Sequence, residues 1–152
     1  MTRFGHHVSG LLVGAAAMPW IASDSVGALC LMFGVYTGAT APDWLEVAWR
    51  DRAGKRKSLI PHRRITHWLS AWIVAIFAVI FAMDVRNAFW CAALGFACGG
   101  LLHLLCDIPN PMGVPVFHPW KRSSLMLWKS GEYEWLLLPL LGVLAFVSWS
   151  IA

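Results

Sequence analysis

A chain of 152 residues that is 59% hydrophobic and 13% charged has more apolar side chains than a soluble core of that size can bury. This excludes an ordinary soluble domain and points to lipid as a second solvent. The formal net charge is +4, and the basic residues are concentrated in loops, where orientation in a membrane and attraction to anionic lipid explain them. We therefore expect no nucleic-acid partner.

Five apolar blocks follow one another along the chain. A bilayer core needs roughly 17–25 helical residues per crossing, and the blocks reach or approach that length. We therefore predict an all-α fold, a polytopic membrane helix bundle with about five transmembrane helices, in a single domain over residues 1–152. The blocks cover residues 8–23, 26–42, 67–83, 88–106 and 134–152.

Two basic connections set the predicted orientation. The loop over about residues 43–66 carries most of the Lys and Arg residues, and the loop over about 107–133 adds three more. By the positive-inside rule both loops are cytoplasmic, while the short connections at 23–25 and 84–87 are external. The N-terminus is then cytoplasmic and the C-terminus periplasmic.

Polar residues gather at that cytoplasmic face. With this topology every histidine and three acids of interest lie at cytoplasmic helix ends or in cytoplasmic loops, although those loops also offer polar residues the most room. The residues are His6, His7, His62, His67, His103, His118, Asp43, Glu46 and Asp107.

Helical spacing turns several of these side chains towards the bundle. Small residues at steps of four mark the face along which membrane helices approach closely, and three blocks carry such a stripe next to a histidine. The first stripe favours His6 over His7 as the inward residue. The stripes are His6–Gly10–Gly14, His67–Ala71–Ala75 and Gly95–Gly99–His103–Asp107.

Inward ionisable residues near a membrane need a shared partner, and a metal ion satisfies several at once. Imidazole and carboxylate ligands suit zinc or a similar divalent ion, and the candidates outnumber the ligands that one catalytic zinc takes. One or two ions are therefore expected. Each residue taken alone has a plainer interpretation: His103 as a packing residue, Asp107 as a helix end, and His62 as loop charge.

The same residues carry a resemblance to a known family. Gly5-His6, the stretch from Pro61 to His67, and the run from Gly99 through His103 and Asp107 to Pro119 resemble the YdjM-like family of bacterial inner-membrane proteins, described as membrane-bound metal-dependent hydrolases. Ala41-Pro42-Asp43 resembles the family's Pro-Asp-x-Asp element. The family is in turn distantly similar to zinc-dependent phospholipases C.

The resemblance implies metal-binding roles for six residues and a location in the bacterial inner membrane. Zinc is the expected ion and manganese an alternative. The sequence departs from the family pattern at Leu45, where the family has a second acid, with Glu46 beside it as a substitute carboxylate. Arg64 and Trp68 replace small residues of the family pattern. The implied ligands are His6, Asp43, His62, His67, His103 and Asp107.

Two functions fit these observations. The first is a metal-dependent hydrolase of a phosphoester or other ester, in which Asp43 or Glu46 takes a proton from water and Arg63 and Arg64 hold an anionic group. Its substrate is expected to be a lipid or lipid-linked. The second is a non-enzymatic membrane subunit of an envelope assembly with a structural or vestigial metal site. Membrane lipid is the expected partner, and a second copy of the chain or another membrane protein remains open.

Overall fold

The computed structural model describes residues 1–82 and 87–152, and for Arg56 only the backbone. The predicted external connection at 84–87 therefore lies, apart from Asn87, outside the described residues. The described chain forms six helices and two antiparallel hairpins. These are α1 (Arg3–Ile21), α2 (Ser25–Gly38), α3 (Ala41–Trp44), β1 (Ala48–Arg50), β2 (Arg56–Ser58), α4 (Leu69–Ala82), α5 (Ala88–Asp107), β3 (Val114–His118), β4 (Lys121–Ser123) and α6 (Glu134–Ile151).

Polar side chains begin three of the long helices. Thr2, Asp24 and Asn87 each accept a hydrogen bond from a backbone N–H in the first turn of α1, α2 and α5. Such caps satisfy donors that a helix leaves unpaired at its start. The sequence thus fixes where these apolar segments begin.

The first and the last long helix, α1 and α6, run in the same direction. At one end of the bundle, Thr2 donates its hydroxyl hydrogen to Glu134, so the starts of α1 and α6 lie together. At the other end, the Trp20 indole N–H donates to Ser148 across the same two helices. The end that holds Thr2 and Glu134 also holds the two hairpins, and we call it the polar end.

Helices α2 and α5 form the tightest pair of the bundle. A Cβ atom added at Gly34 or Gly38 would lie 2.2 Å from a backbone oxygen of α5, and one at Gly99 would lie 2.4 Å from the Val35 oxygen. Backbone therefore contacts backbone along this interface, as small residues at steps of four allow. The predicted packing stripe of α5 is confirmed. Leu31, Val35 and Leu94 complete the core beside it.

The prediction of a mostly helical chain is confirmed, and the hairpins are additions to it. Two described helices, Ala88–Asp107 and Glu134–Ile151, are long and apolar enough to cross a membrane. Helices α2 and α4 are apolar but shorter. Large apolar side chains, among them Phe81, Phe146 and Trp149, are exposed on the outer surface of the helices. Such a surface is typical of helices in contact with lipid.

Both hairpins lie within the connections that were predicted as loops. Gly113 starts the second hairpin with φ +59°, and a Cβ atom there would lie 2.3 Å from the Ser123 oxygen. Only glycine fits this turn without displacing the chain. In the other connection, Arg63 has φ +55°, and its guanidinium Nη1 donates to the Gly113 oxygen at 2.9 Å. One connection is thereby tied to the other above the helix ends.

Candidate metal centre

His103 lies on α5, one turn from its end, and is 1% exposed. Its Nδ1 is 2.8 Å from the Ala39 carbonyl oxygen at the end of α2. A carbonyl oxygen only accepts, so Nδ1 carries the hydrogen and Nε2 of the neutral ring keeps its lone pair. This Nε2 is buried and has no hydrogen-bond partner among the described residues.

His67 presents a second nitrogen of the same kind. The ring is fully buried, and Nδ1 lies 3.2 Å from the Thr66 hydroxyl and 3.3 Å from a Glu46 carboxylate oxygen. Its Nε2 is also buried without a hydrogen-bond partner in the part of the chain that is described, and it lies 3.4 Å from Asp43 Oδ1. The same Asp43 oxygen is 3.9 Å from His103 Nε2.

These atoms form a first ligand group: Asp43, His67 and His103. One atom from each lies within 4.8 Å of the other two. Two ligand atoms that each bind a tetrahedral zinc at 2.0–2.1 Å are about 3.4 Å apart. The observed separations of 3.4 and 3.9 Å are close to that value, so the donor set and its spacing fit one divalent ion.

A second ligand group shares His103 and adds His6 and Asp107. The His6 and His103 rings are stacked with centroids 3.9 Å apart. His6 Nε2 is 3.5 Å and His103 Nε2 is 3.8 Å from the Asp107 carboxylate. The prediction that His6 is the inward residue of its pair is confirmed, because His6 is buried here while His7 stacks on Tyr36.

Asp107 already has cationic partners from the chain itself. The Met1 ammonium group lies 2.9 Å from Oδ1, and the Arg63 guanidinium donates to Oδ2 at 2.5 Å. All three groups are buried. The second group therefore has its negative charge compensated by the protein, whereas the ion-pair contacts of Asp43 within the described residues are the His67 and His103 imidazoles.

The acids and the imidazole outside the long helices show the electrostatics of the first group. Burial alone would raise the pKa of Asp43, but the close His67 imidazole and the nearby His103 imidazole lower that pKa to about 2. Burial would lower the pKa of His67, but the close carboxylates of Asp43 and Glu46 raise it. Both shifts have the same physical cause, the close contact between carboxylates and imidazole rings.

Glu46 lies behind the first group instead of inside it. Its side chain is fully buried and accepts hydrogen bonds from the Arg63 backbone N–H at 2.9 Å and from His62 Nδ1 at 2.7 Å. Burial would raise the pKa of Glu46, but bonds from His67, Arg63 and His62 lower it to about 2. A carboxylate that holds the distal nitrogen of a ligand histidine fixes the orientation of the ring.

A cavity of about 420 Å³ opens beside Asp43. Asp43, whose side chain is 45% exposed, forms part of its wall together with Trp44 and His62. Arg3 and Arg63 supply the positive charge of the lining. Solvent and a small polar group can therefore reach the first ligand group, while the second group stays buried.

The predicted site residues occupy different positions. Of the six predicted ligands, five fall in the two groups, and His62 lies in the cavity wall with Nδ1 on Glu46. Arg63 is bound to Asp107 and Gly113, and Arg64 is half-buried with its carbonyl oxygen accepting from the His67 N–H.

Sequence reasoning missed Arg3 as a cavity residue. Arg3 precedes His6 by three residues, and that spacing places the two side chains next to each other on one face of a helix. The spacing was therefore a usable signal, but loop charge and membrane orientation explained Arg3 without it.

Comparison with known proteins agrees with the motifs. A family model described as YdjM inner membrane protein matches residues 1–152. No curated protein and no solved structure matches the chain. The match covers every residue of the two ligand groups and of the cavity, and it confirms the resemblance found in the sequence.

Proposed function

Since the chain belongs to the YdjM inner membrane protein family, we propose that it is a multi-pass inner-membrane hydrolase that cleaves a phosphoester of a lipid or lipid-linked substrate. It would use one or two divalent ions, zinc or alternatively manganese. The observation that carries this proposal is the pair of buried Nε2 atoms, on His67 and His103, that converge with the Asp43 carboxylate.

Five membrane crossings form part of the proposal. Two helices have the length and hydropathy for it, and the other long helices pack on them, α1 on α6 and both α2 and α4 on α5. Helix α2 gains length from α3, which follows it after two residues. The apolar outer faces of these helices support the same arrangement.

The polar end is proposed to be cytoplasmic. All but one of the twelve Lys and Arg residues fall before residue 4 or in the two connections at the polar end, and Arg86 is the exception. Positive charge of this kind is retained on the cytoplasmic side. The N-terminus would then be cytoplasmic, the C-terminus periplasmic, and the cavity open to the inner leaflet.

The chain's own residues would divide the work. Asp43, His67 and His103 would hold the ion next to the cavity, and His6 with Asp107 would hold a second one. A divalent ion bound by such ligands acts as a Lewis acid and activates water. Ala39 and Glu46 keep the His103 and His67 rings oriented.

A proton acceptor is also available at the cavity. Because the Glu46 carboxylate accepts from His62 Nδ1, the neutral His62 ring has its lone pair on Nε2. This pairing of an imidazole with a buried carboxylate is a general-base arrangement. In this proposal Glu46 acts through His62, and Asp43 serves as a ligand. Arg3 would contact the anionic group of the substrate.

Elemental analysis of the purified protein tests the site. The protein in detergent is stripped with a chelator, reloaded with zinc or manganese, and freed of excess metal. We expect about one or two equivalents in the wild type and in His118→Ala, an exposed control. His67→Ala and His103→Ala should lose the metal. Equal metal content in all four proteins would refute the site.

A specific observation favours a second function, that of a membrane subunit with a structural metal. The chain already neutralises Asp107 through Met1 and Arg63, and Leu45 stands where the family has an acid. Assays with phosphatidic acid and with a water-soluble aryl phosphate separate the two functions. Turnover that disappears in His103→Ala supports the hydrolase, and bound metal without turnover supports the structural subunit.

A further inference from the structure

An apolar groove runs along the bundle between α2 and α4. Both helices pack on α5 but hardly touch each other within the described chain, so α5 forms the floor of a cleft of about 420 Å³. Phe33 and Thr37 line one wall, Ala75 and Val79 line the other, and Ala93 and Phe96 lie on the floor. The small side chains of Ala75 and Ala93 keep the cleft open.

The groove meets the polar cavity at one residue. Trp44 lines the cavity, donates its indole N–H to the Thr37 oxygen at 3.4 Å, and lies against Phe96 with ring centroids 6.2 Å apart. Thr37 and Phe96 both line the groove. A polar compartment and an apolar one therefore lie on either side of Trp44.

We propose that this groove binds one hydrocarbon chain of the lipid substrate, whose phosphate group lies in the cavity beside Asp43 and Arg3. This proposal rests on the proposed function and names the site that gives it a lipid substrate. The order of compartments matches an anionic lipid: a charged head next to a guanidinium, and a tail along helices that face the membrane interior.

The size of the groove selects a hydrocarbon chain over a helix. A helix with its side chains is about 10–12 Å wide, so three turns of it occupy more than about 1,000 Å³. A helix would also leave the adjoining polar cavity empty, whereas an anionic lipid has an apolar tail for the groove and a charged head for the cavity. A flexible chain of methylenes can follow a cleft that a helix of a second copy or of another membrane protein can only cover from outside.

A photo-crosslinking experiment tests the groove directly. The full chain is placed in bilayers of phosphatidylcholine containing phosphatidic acid with a diazirine in its acyl chain, and labelled residues are mapped by mass spectrometry. We expect labelling concentrated on groove residues such as Phe96 and Val79. Ala75→Phe fills one wall and should reduce that labelling about tenfold, a loss equivalent to roughly 1.4 kcal/mol.

The matched control carries the same change on the same helix. Ala78 is exposed and lies outside the groove lining, so Ala78→Phe should be labelled like the wild type. Ala93→Leu narrows the floor with a smaller side chain and gives an independent test if Ala75→Phe folds poorly. Equal labelling of groove residues in all four proteins overturns the proposal.

Metal content keeps this test apart from the test of the site. All variants should hold as much zinc as the wild type, since none changes a ligand. Groove labelling in a protein that holds no metal would support the proposed groove and contradict the proposed hydrolase. If a protein that holds metal is labelled evenly over the outer faces of α4 and α6, only the proposal of lipid binding in the groove is contradicted.

Discussion

The two ligand groups share His103 and have the same composition, two histidines and one aspartate, yet they differ in what surrounds the carboxylate. Asp107 is buried and bound by an ammonium and a guanidinium group of the chain. Asp43 is half-exposed, faces imidazoles, and lines a cavity. The first ligand group is thus open to a cation and to a substrate, while the carboxylate of the second already has two charged partners from the protein.

This difference shows that donor atoms alone do not define a metal site. A buried carboxylate with cationic partners contributes to the stability of the fold, because removal of one partner strands the others. A carboxylate without such partners retains the capacity to bind an ion. The two aspartates therefore should respond differently to the same substitution.

The largest effect is expected for His103→Ala, which removes the residue common to both groups. Metal affinity should fall by more than the roughly 10–100-fold that loss of an outer-shell partner costs. Competition with a chelator of known affinity measures the loss. If His103→Ala lowers affinity no more than Glu46→Gln does, the two groups are not centred on His103.

The paired substitutions Asp107→Asn and Asp43→Asn test most directly whether the two carboxylates have different roles. Asp107→Asn leaves the Met1 ammonium and Arg63 buried without their counter-charge, so we expect a loss of about 3–5 kcal/mol in the free energy of unfolding. Asp43→Asn should change this free energy by less than about 1 kcal/mol while it abolishes the cavity-side metal. Unfolding in mixed detergent and elemental analysis give the two values. Equal destabilisation by both substitutions would contradict the contrast.

Glu46→Gln tests the support behind the first group. The amide keeps the size of the side chain but loses its charge, so His67 and His62 are held less firmly. Metal affinity should fall about 10–100-fold with the fold retained. An unchanged affinity would mean that Thr66 alone orients His67.

The smallest effect is expected for His7→Ala, the neighbour of a proposed ligand. His7 stacks on Tyr36 and belongs to neither ligand group. Metal content should equal that of the wild type, and only a change within about 1 kcal/mol in stability is expected. Loss of metal in this variant would show that His7, and not His6, is the ligand.

The helical part of this site was predictable because spacing on a helix has direct geometric meaning. Gly95, Gly99, His103 and Asp107 follow at steps of four, and a stripe of small residues has to face a neighbouring helix. The inward position of His103 and Asp107 followed from that. The same reasoning selected His6 over His7.

The loop part was not predictable for a physical reason. Glu46 and Arg63 obtain their positions from the hairpin of β1 and β2 and from a left-handed backbone at Arg63. Neither produces a periodic pattern in the sequence. The partners of Arg63 lie 44 and 50 residues away, and spacing along the chain says nothing about contacts at such separations.

The close contact of α2 and α5 has a consequence for the chemistry of one imidazole ring. Ala39 and His103 stand next to Gly38 and one turn beyond Gly99, so the glycines set the gap that the Nδ1–H to carbonyl bond spans. A methyl group at either glycine would widen that gap, and the ring hydrogen would be free to move to the other nitrogen. The distance between α2 and α5 thus determines which nitrogen of His103 carries the hydrogen. A substitution at Gly38 or Gly99, neither of which is a ligand, would therefore weaken metal binding.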